Sequence, residues 1–377
     1  MTKLRILHCL RAPVGGLFRH VRDLSAAQAA SGHDVGVMVD SAANDRLTDQ
    51  RLADMSRNLS LGLHRTAMSR DIGLRDLGAA RSTAALARTL DIDVIHGHGA
   101  KGGAYGRLAA ARLNATRKHN KAVSAFYTPH GGSLHYAPTS LKGRVFMGLE
   151  RWLASSTDGI IFESAYSAGV YGRNVGPVTC PTRVIPNGLL PVEFSTHTPV
   201  TAATDIVFIG ELRILKGVDL LLEAMARLDG GSPVTATIVG DGPDAGQFRD
   251  QAQRLGLTNR VTFTGAMPAA AAFPLGRILV MPSRAESFPY IVLEAAAAGI
   301  PLIATAVGGI PEIVAGTDTA LVPPEDVAAL SHAIASALRD LPAAIGRASR
   351  LQMTIADRFT VDRMASDIQT FYFDVRR

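Results

Sequence analysis

Met281-Pro282-Ser283-Arg284-Ala285-Glu286-Ser287-Phe288-Pro289-Tyr290-Ile291-Val292-Leu293-Glu294, with the Ala-rich run that follows to Gly299, decides how the whole chain is read. An apolar strand over 278–281 breaks at Pro282 and crosses a polar loop. It then enters a helix with Pro289 in its first turn and Glu294 in its interior. The unpaired first-turn N–H groups of that helix face the carboxyl end of the strand, where open parallel sheets bind ligands, and they favour an anion there. Two acids, Glu286 and Glu294, are then spaced to hold hydroxyls beside it.

Working outward, strands at 205–209, 234–239, 261–263, 278–281 and 302–304 alternate with helical patterns at 218–228, 245–255 and 327–338. The first half repeats the theme, with strands at 4–10, 35–39, 92–96, 122–127 and 159–162 and helices at 18–30 and 104–113. Strands separated by helices imply parallel sheets covered on both faces. Two doubly wound α/β domains with a cleft between them follow, over 1–187 and 188–359, with a last helical pattern at 360–377 packing back on the first. No short-period repeat is visible.

The 377 residues are 47% hydrophobic, enough for two cores of ordinary size. Cys9 and Cys180 lie far apart without metal spacing, so buried reduced thiols and a cytoplasmic setting are expected. No run reads as a signal peptide or a membrane span. Charge is uneven: residues 1–187 hold 24 Lys and Arg against 13 Asp and Glu, and the remainder 15 against 20. A basic half suits a phosphate-bearing acceptor or the inner face of an anionic membrane, and it equally suits plain solubility. No nucleic-acid motif accompanies it.

Several pieces then fall into an order. They are Gly210-Glu211-Leu212-Arg213-Ile214-Leu215-Lys216-Gly217, Gly240-Asp241-Gly242-Pro243, the opening stretch with Glu286 and Glu294, and Gly308-Gly309-Ile310-Pro311-Glu312. In the first half, Gly15-Gly16 precedes His20, Asp93 leads to His96-Gly97-His98, Thr128-Pro129 precedes His130-Gly131, and Ile185-Pro186-Asn187-Gly188 closes the series. In this order and spacing the chain resembles family 4 of the glycosyltransferases over nearly its whole length.

The resemblance implies the GT-B fold, two Rossmann-like domains facing each other across a cleft. It also implies a retaining hexosyl transfer from a nucleotide-diphosphate sugar to an acceptor hydroxyl, in bacterial polysaccharide or glycolipid biosynthesis. Lys216 and Arg213 are expected on the departing diphosphate, where cations stabilise developing charge. Relatives carry Arg where Glu211 stands, which makes Arg213 the candidate for that guanidinium. Glu286 is expected beside the donor sugar, Glu294 on the ribose hydroxyls, and His130 against the sugar. Gly15 and Gly16, read as a turn before the first helix, are expected to close over the donor. Ser287, Phe288, Pro289, Tyr290, Gly240, Asp241 and Gly242 complete the expected donor-binding set.

His96 and His98 could suggest a metal, but the strand reads as ending at His96, Gly97 as a turn, and no third ligand stands out. No catalytic metal and no cofactor are expected. On the acceptor side, the cluster 117–121 and the segment 141–153, with Lys142, Arg144, Phe146, Met147, Arg151 and Trp152, read as a basic membrane-facing helix or as an ordinary packed one. A GT-B-like epimerase or phosphorylase is an alternative, as is a non-catalytic nucleotide-sugar-binding assembly protein. The missing third glycine and spaced acid set a nicotinamide dehydrogenase aside.

Overall fold

A computed structural model describes residues 2–42, 46–69, 73, 75–116, 122–131, 139–228 and 233–376. The basic cluster at 117–121 lies outside them. The chain divides into two compact units, Met1–Gly188 with Val361–Arg377, and Leu189–Thr360.

Unit 1 runs β1 (Arg5–Leu10), α1 (Gly15–Ala30), β2 (Asp34–Asp40), α2 (Arg46–Ser56), β3 (Gly62–Thr66), α3 (Arg75–Thr89), β4 (Val94–His98) and α4 (Gly99–Thr116). It continues with β5 (Ser124–Thr128), α5 (Leu141–Ala154), β6 (Gly159–Phe162), α6 (Ala165–Asn174) and β7 (Thr182–Val184). Its parallel sheet has the order β3-β2-β1-β4-β5-β6-β7. Residues buried on both faces of β1, β4 and β6 explain their continuous apolar runs.

Unit 2 runs β8 (Thr204–Ile209), α7 (Val218–Ala226), β9 (Ala236–Val239), α8 (Ala245–Arg254), β10 (Val261–Gly265), α9 (Ala269–Ala272) and β11 (Gly276–Met281). Then come α10 (Tyr290–Ala297), β12 (Leu302–Thr305), α11 (Ile310–Val314), β13 (Leu321–Val322), α12 (Val327–Arg339) and α13 (Leu341–Ala356). The order is β10-β9-β8-β11-β12-β13, again parallel.

Local chemistry starts the helices and packing holds them. Asp326 caps α12 by accepting from the Ala329 N–H, and Val327, Leu330, Ile334 and Ala337 then recur on one buried face. That face joins Ile206, Phe208, Ile238 and Ile278 in the main core of unit 2. Each fully buried aliphatic side chain there contributes roughly 1.5–3 kcal/mol. The last helix, α14 (Val361–Arg376), belongs to unit 1, where Tyr372 and Phe371 pack on Phe126 and the Tyr372 hydroxyl lies 2.7 Å from His96 Nδ1.

The structure departs from the sequence expectation at two glycine sites. Gly15 and Gly16 do not precede α1 but form its first turn, with Gly15 at φ 65. β4 does not stop at His96. It runs on through Gly97 to His98, because the backbone of Gly102 and Gly103 in α4 comes so close that a Cβ at Gly97 would stand 2.6 Å from it. Here the glycine serves a close helix-to-strand approach, not a turn.

Unit 1 also buries an ion pair. Arg107, fully enclosed, lies 3.0 Å from Glu150, which accepts a hydrogen bond from the Tyr127 hydroxyl at 2.8 Å. The guanidinium stacks on the Tyr127 ring, 3.9 Å from its centroid.

Candidate functional site

In each sheet the strand order reverses at one place: between β1 and β4 in unit 1, and between β8 and β11 in unit 2. The loops beyond the carboxyl ends of such a pair form the crevice in which doubly wound sheets bind ligands.

In unit 2 the loops after β8, β11 and β12 are packed backbone against backbone. Gly217, at φ 73, sits so close to Pro282 that a Cβ would fall 2.0 Å from its carbonyl oxygen. Gly308, at φ 60, approaches the Glu286 carbonyl in the same way. Only glycine fits these two positions, and they bring Lys216 and Glu286 together. Lys216 Nζ donates to Glu286 Oε1 at 2.7 Å, with the two side chains 23% and 8% exposed. The Ser283 hydroxyl donates to the same oxygen at 2.8 Å, while Thr305 donates to the Ser283 carbonyl at 2.6 Å. The carboxylate is therefore fixed from two sides and the ammonium retains donor capacity toward solvent.

Arg284 holds the turn that carries Lys216. Its guanidinium donates to both Asp219 oxygens at 2.7 and 2.8 Å, to Glu325 Oε1 from Nε at 3.1 Å, and to the Ile214 carbonyl at 2.6 Å. The Arg284 N–H adds a bond to the Leu215 carbonyl, and Asp244 accepts from the Ile214 N–H. Hydrogen bonding to Asp219 raises the Arg284 pKa, so it is a permanent charge in this frame. The sequence reading gave Arg284 no role. Its signal was an arginine inside the decisive loop with acids at 219 and 325, a pairing too distant in sequence to read.

The remaining expected residues are placed differently. Arg213 is 53% exposed and lies 3.7 Å from Glu211; among the described residues no hydrogen bond joins its side chain to Lys216 or Glu286. Phe288 packs edge-on to Phe359 and, with Tyr290, belongs to the apolar core behind the loop. Pro289 stands at the N-cap position just before α10, not in its first turn, and makes no side-chain capping bond, and Glu294 is half-buried on that helix. The Ser287 carbonyl accepts from the Gly309 N–H. Gly240, Asp241 and Gly242 follow β9, where the Asp241 carbonyl accepts from Leu212 N–H and its side chain from Gly242 N–H.

In unit 1 the corresponding crevice is lined with imidazoles. His8 lies on β1, His20 on α1, His96 and His98 on β4, and His130 just past β5 in the left-handed region at φ 52. His8 Nδ1 and His98 Nε2 are 2.9 Å apart, and His98 Nδ1 and His130 Nε2 are 3.1 Å apart. His96 is held by Thr128 and Tyr372, and His20 Nδ1 by Asn187 Oδ1 at 2.9 Å. Burial pushes His8 and His20 down to about 4 and the other three well below their ordinary value, so all five are neutral near pH 7. His130 was expected against the sugar; both its ring nitrogens face protein groups, with Glu163 3.7 Å from Nδ1.

Comparison with known proteins gives this geometry a family. The model of Glycosyltransferase Family 4 matches residues 14–190 and that of Glycosyl transferases group 1 matches residues 203–340. The chain belongs to glycosyltransferase family 4, it is a glycosyltransferase, and its two parallel-sheet units are those of the GT-B fold. Glycogen synthase of Mycobacterium tuberculosis is 28% identical over 97% of this chain and 92% of its own length. A D-inositol 3-phosphate glycosyltransferase of Mycolicibacterium smegmatis is 35% identical over 38% of this chain and 35% of its own. Among solved structures, sucrose-phosphate synthase of Thermosynechococcus elongatus superposes with a TM-score of 0.81 at 24% identity, covering 99% of both chains. Anabaena HepE, solved with UDP and glucose, gives 0.81 at 21% identity, covering 98% of this chain and 100% of its own.

Proposed function

We propose that the protein transfers a hexosyl group, with retention, from a nucleotide-diphosphate sugar to an acceptor hydroxyl, in building a bacterial polysaccharide or glycolipid. The observation that carries this reading is the Lys216–Glu286 pair, braced at 2.7 Å on the loops beyond β8 and β11. When the anomeric carbon parts from the diphosphate, negative charge grows on the leaving oxygen, and a fixed ammonium stabilises it without reorganising. The acceptor oxygen bonds to that carbon on the same face as the bond to phosphate breaks, and its proton passes to the phosphate oxygen. Glu286 orients Lys216 and accepts from sugar hydroxyls, and Glu294 serves the ribose. The UDP-containing structures of HepE make uridine diphosphate sugars the first donors to try.

The test is a thermal-shift panel of uridine, guanosine and adenosine diphosphate sugars, followed by an assay of diphosphate release with candidate acceptors. A donor at 100 times its dissociation constant adds about 2.7 kcal/mol to stability. No shift from any donor contradicts the reading. A shift without release, even with acceptors present, supports the non-catalytic binder, which the exposed position of Arg213 and the acid at Glu211 favour.

A second part of the proposal concerns the acceptor. On α5, Leu141, Val145 and Trp152 share one face and are 80%, 48% and 60% exposed, with exposed Lys142 and Arg144 beside them. This apolar stripe with a basic border fits the headgroup layer of an anionic membrane. Among the described residues no helix is long and apolar enough to cross one. Co-sedimentation with anionic vesicles, reduced by Trp152→Ala and by salt, is expected; equal recovery with neutral vesicles contradicts it.

A further inference from the structure

We propose that His20, His98 and His130 are the protein ligands of a divalent transition-metal site, of the zinc class, at the β1/β4 switch of unit 1. This departs from the metal-free expectation drawn from His96 and His98, and it stands independently of sugar transfer.

The ring nitrogens already held by neighbours decide which lone pairs remain. His20 donates from Nδ1 to Asn187 Oδ1, so its Nε2 lone pair points into the cluster. That Nε2 is buried, in a residue 1% exposed, and has no hydrogen-bond partner among the described atoms. Gln28 Oε1, 2.7 Å from His8 Nε2, places the His8 proton there; His8 Nδ1 then accepts from His98 Nε2, which leaves the His98 Nδ1 lone pair facing inward. His130 has the Glu163 carboxylate behind Nδ1, an arrangement that turns its Nε2 toward His98 as a ligand. The outer partners Asn187, His8 and Glu163 therefore aim three lone pairs at one place.

The dimensions agree with such a site. The three ring centroids form a triangle with edges of 4.8, 5.4 and 5.5 Å, and a tetrahedral ion with metal–nitrogen bonds of about 2.0–2.1 Å requires about 5.2 Å. The ligand nitrogens lie within 4.8 Å of one another, and the His98–His130 pair is at 3.1 Å where bound nitrogens stand roughly 3.3–3.4 Å apart. The neighbouring set His8, His96 and His98 is similarly compact but fails the same criterion, because Thr128 and Tyr372 occupy both nitrogens of His96. Three neutral imidazoles suit zinc, nickel, cobalt or copper and not magnesium or calcium. Three ligands also leave a fourth position for water. A bound ion would tie α1, the end of β4 and the loop after β5 to one point.

The test uses tag-free full-length protein stripped with a chelator, then titrated with zinc or cobalt and compared with His20→Ala. The expected result is one equivalent of metal retained through gel filtration and a visible cobalt absorption of tetrahedral character. Both should be lost in His20→Ala, whose chelated form keeps the wild-type circular dichroism. If His20→Ala does not fold, Asn187→Ala keeps all three ligands and should bind zinc about 10–100-fold more weakly. Failure of the wild type to retain zinc overturns the proposal and leaves a proton shared between His98 and His130. Equal zinc binding by wild type and both variants also overturns it, assigning the metal to other histidines.

Discussion

The two units have the same topology at their functional ends and opposite chemistry. At the β1/β4 switch of unit 1, five buried imidazoles are kept neutral by burial. At the β8/β11 switch of unit 2, charge is matched with charge: Lys216 with Glu286, and Arg284 with Asp219 and Glu325. The fold supplies a crevice in both units. What the crevice does depends on the side chains at the strand ends, so likeness of fold alone could not have distinguished them.

The largest expected effect tests whether unit 1 tolerates charge only when it is paired. Glu150→Ala leaves the Arg107 guanidinium buried and unpaired and should destabilise unit 1 by about 3–5 kcal/mol, read from urea unfolding. A loss under 1 kcal/mol would break this side of the comparison.

Acid should separate the units next. His8 and His20 have folded values of about 4, below the unfolded 6.5, so the neutral forms favour folding above pH 6.5. As pH falls from 6.5 to 4 the unfolded chain takes up these protons first, so the stability contributed by the neutral forms is withdrawn through that window. In chelated protein, hydrogen exchange should show unit 1 loosening in that window ahead of unit 2. Simultaneous loss would remove the contrast.

Within unit 2, Arg284→Ala should cost about 1.5–3 kcal/mol of stability through its lost bonds to Asp219, and lower turnover by freeing the turn that carries Lys216. Unchanged turnover with lowered stability would reduce Arg284 to a purely structural part. The smallest effect is assigned to Arg213→Ala. Its exposed pairing with Glu211 contributes about 0–1 kcal/mol, and kcat/KM should fall by less than roughly tenfold. A larger fall would return Arg213 to the diphosphate.

Much of this was legible in the sequence, for identifiable reasons. Buried parallel strands write themselves as apolar runs, which is why β1, β6, β8 and β11 were readable to within a residue or two. The edge strand β3 is only half-buried along its length and carries no such run. Gly97 misled because a glycine required by helix contact looks, in one dimension, like a turn. Lys216 and Glu286 were marked by the order of motifs, whereas their 2.7 Å contact, and the bracing by Arg284, depend on partners 65 to 70 residues apart. The histidines were less legible still. His8 meets His98 across 90 residues and His96 meets Tyr372 across 276, separations over which no local pattern forms.

The central claim is that Lys216 stabilises the departing diphosphate. Its most direct test is the rate of nucleoside-diphosphate release at saturating donor and acceptor by Lys216→Ala, alongside the wild type. A fall of about 10²–10³-fold, equivalent to about 2.7–4 kcal/mol, is expected, with circular dichroism unchanged. Release within a few-fold of the wild type would contradict it.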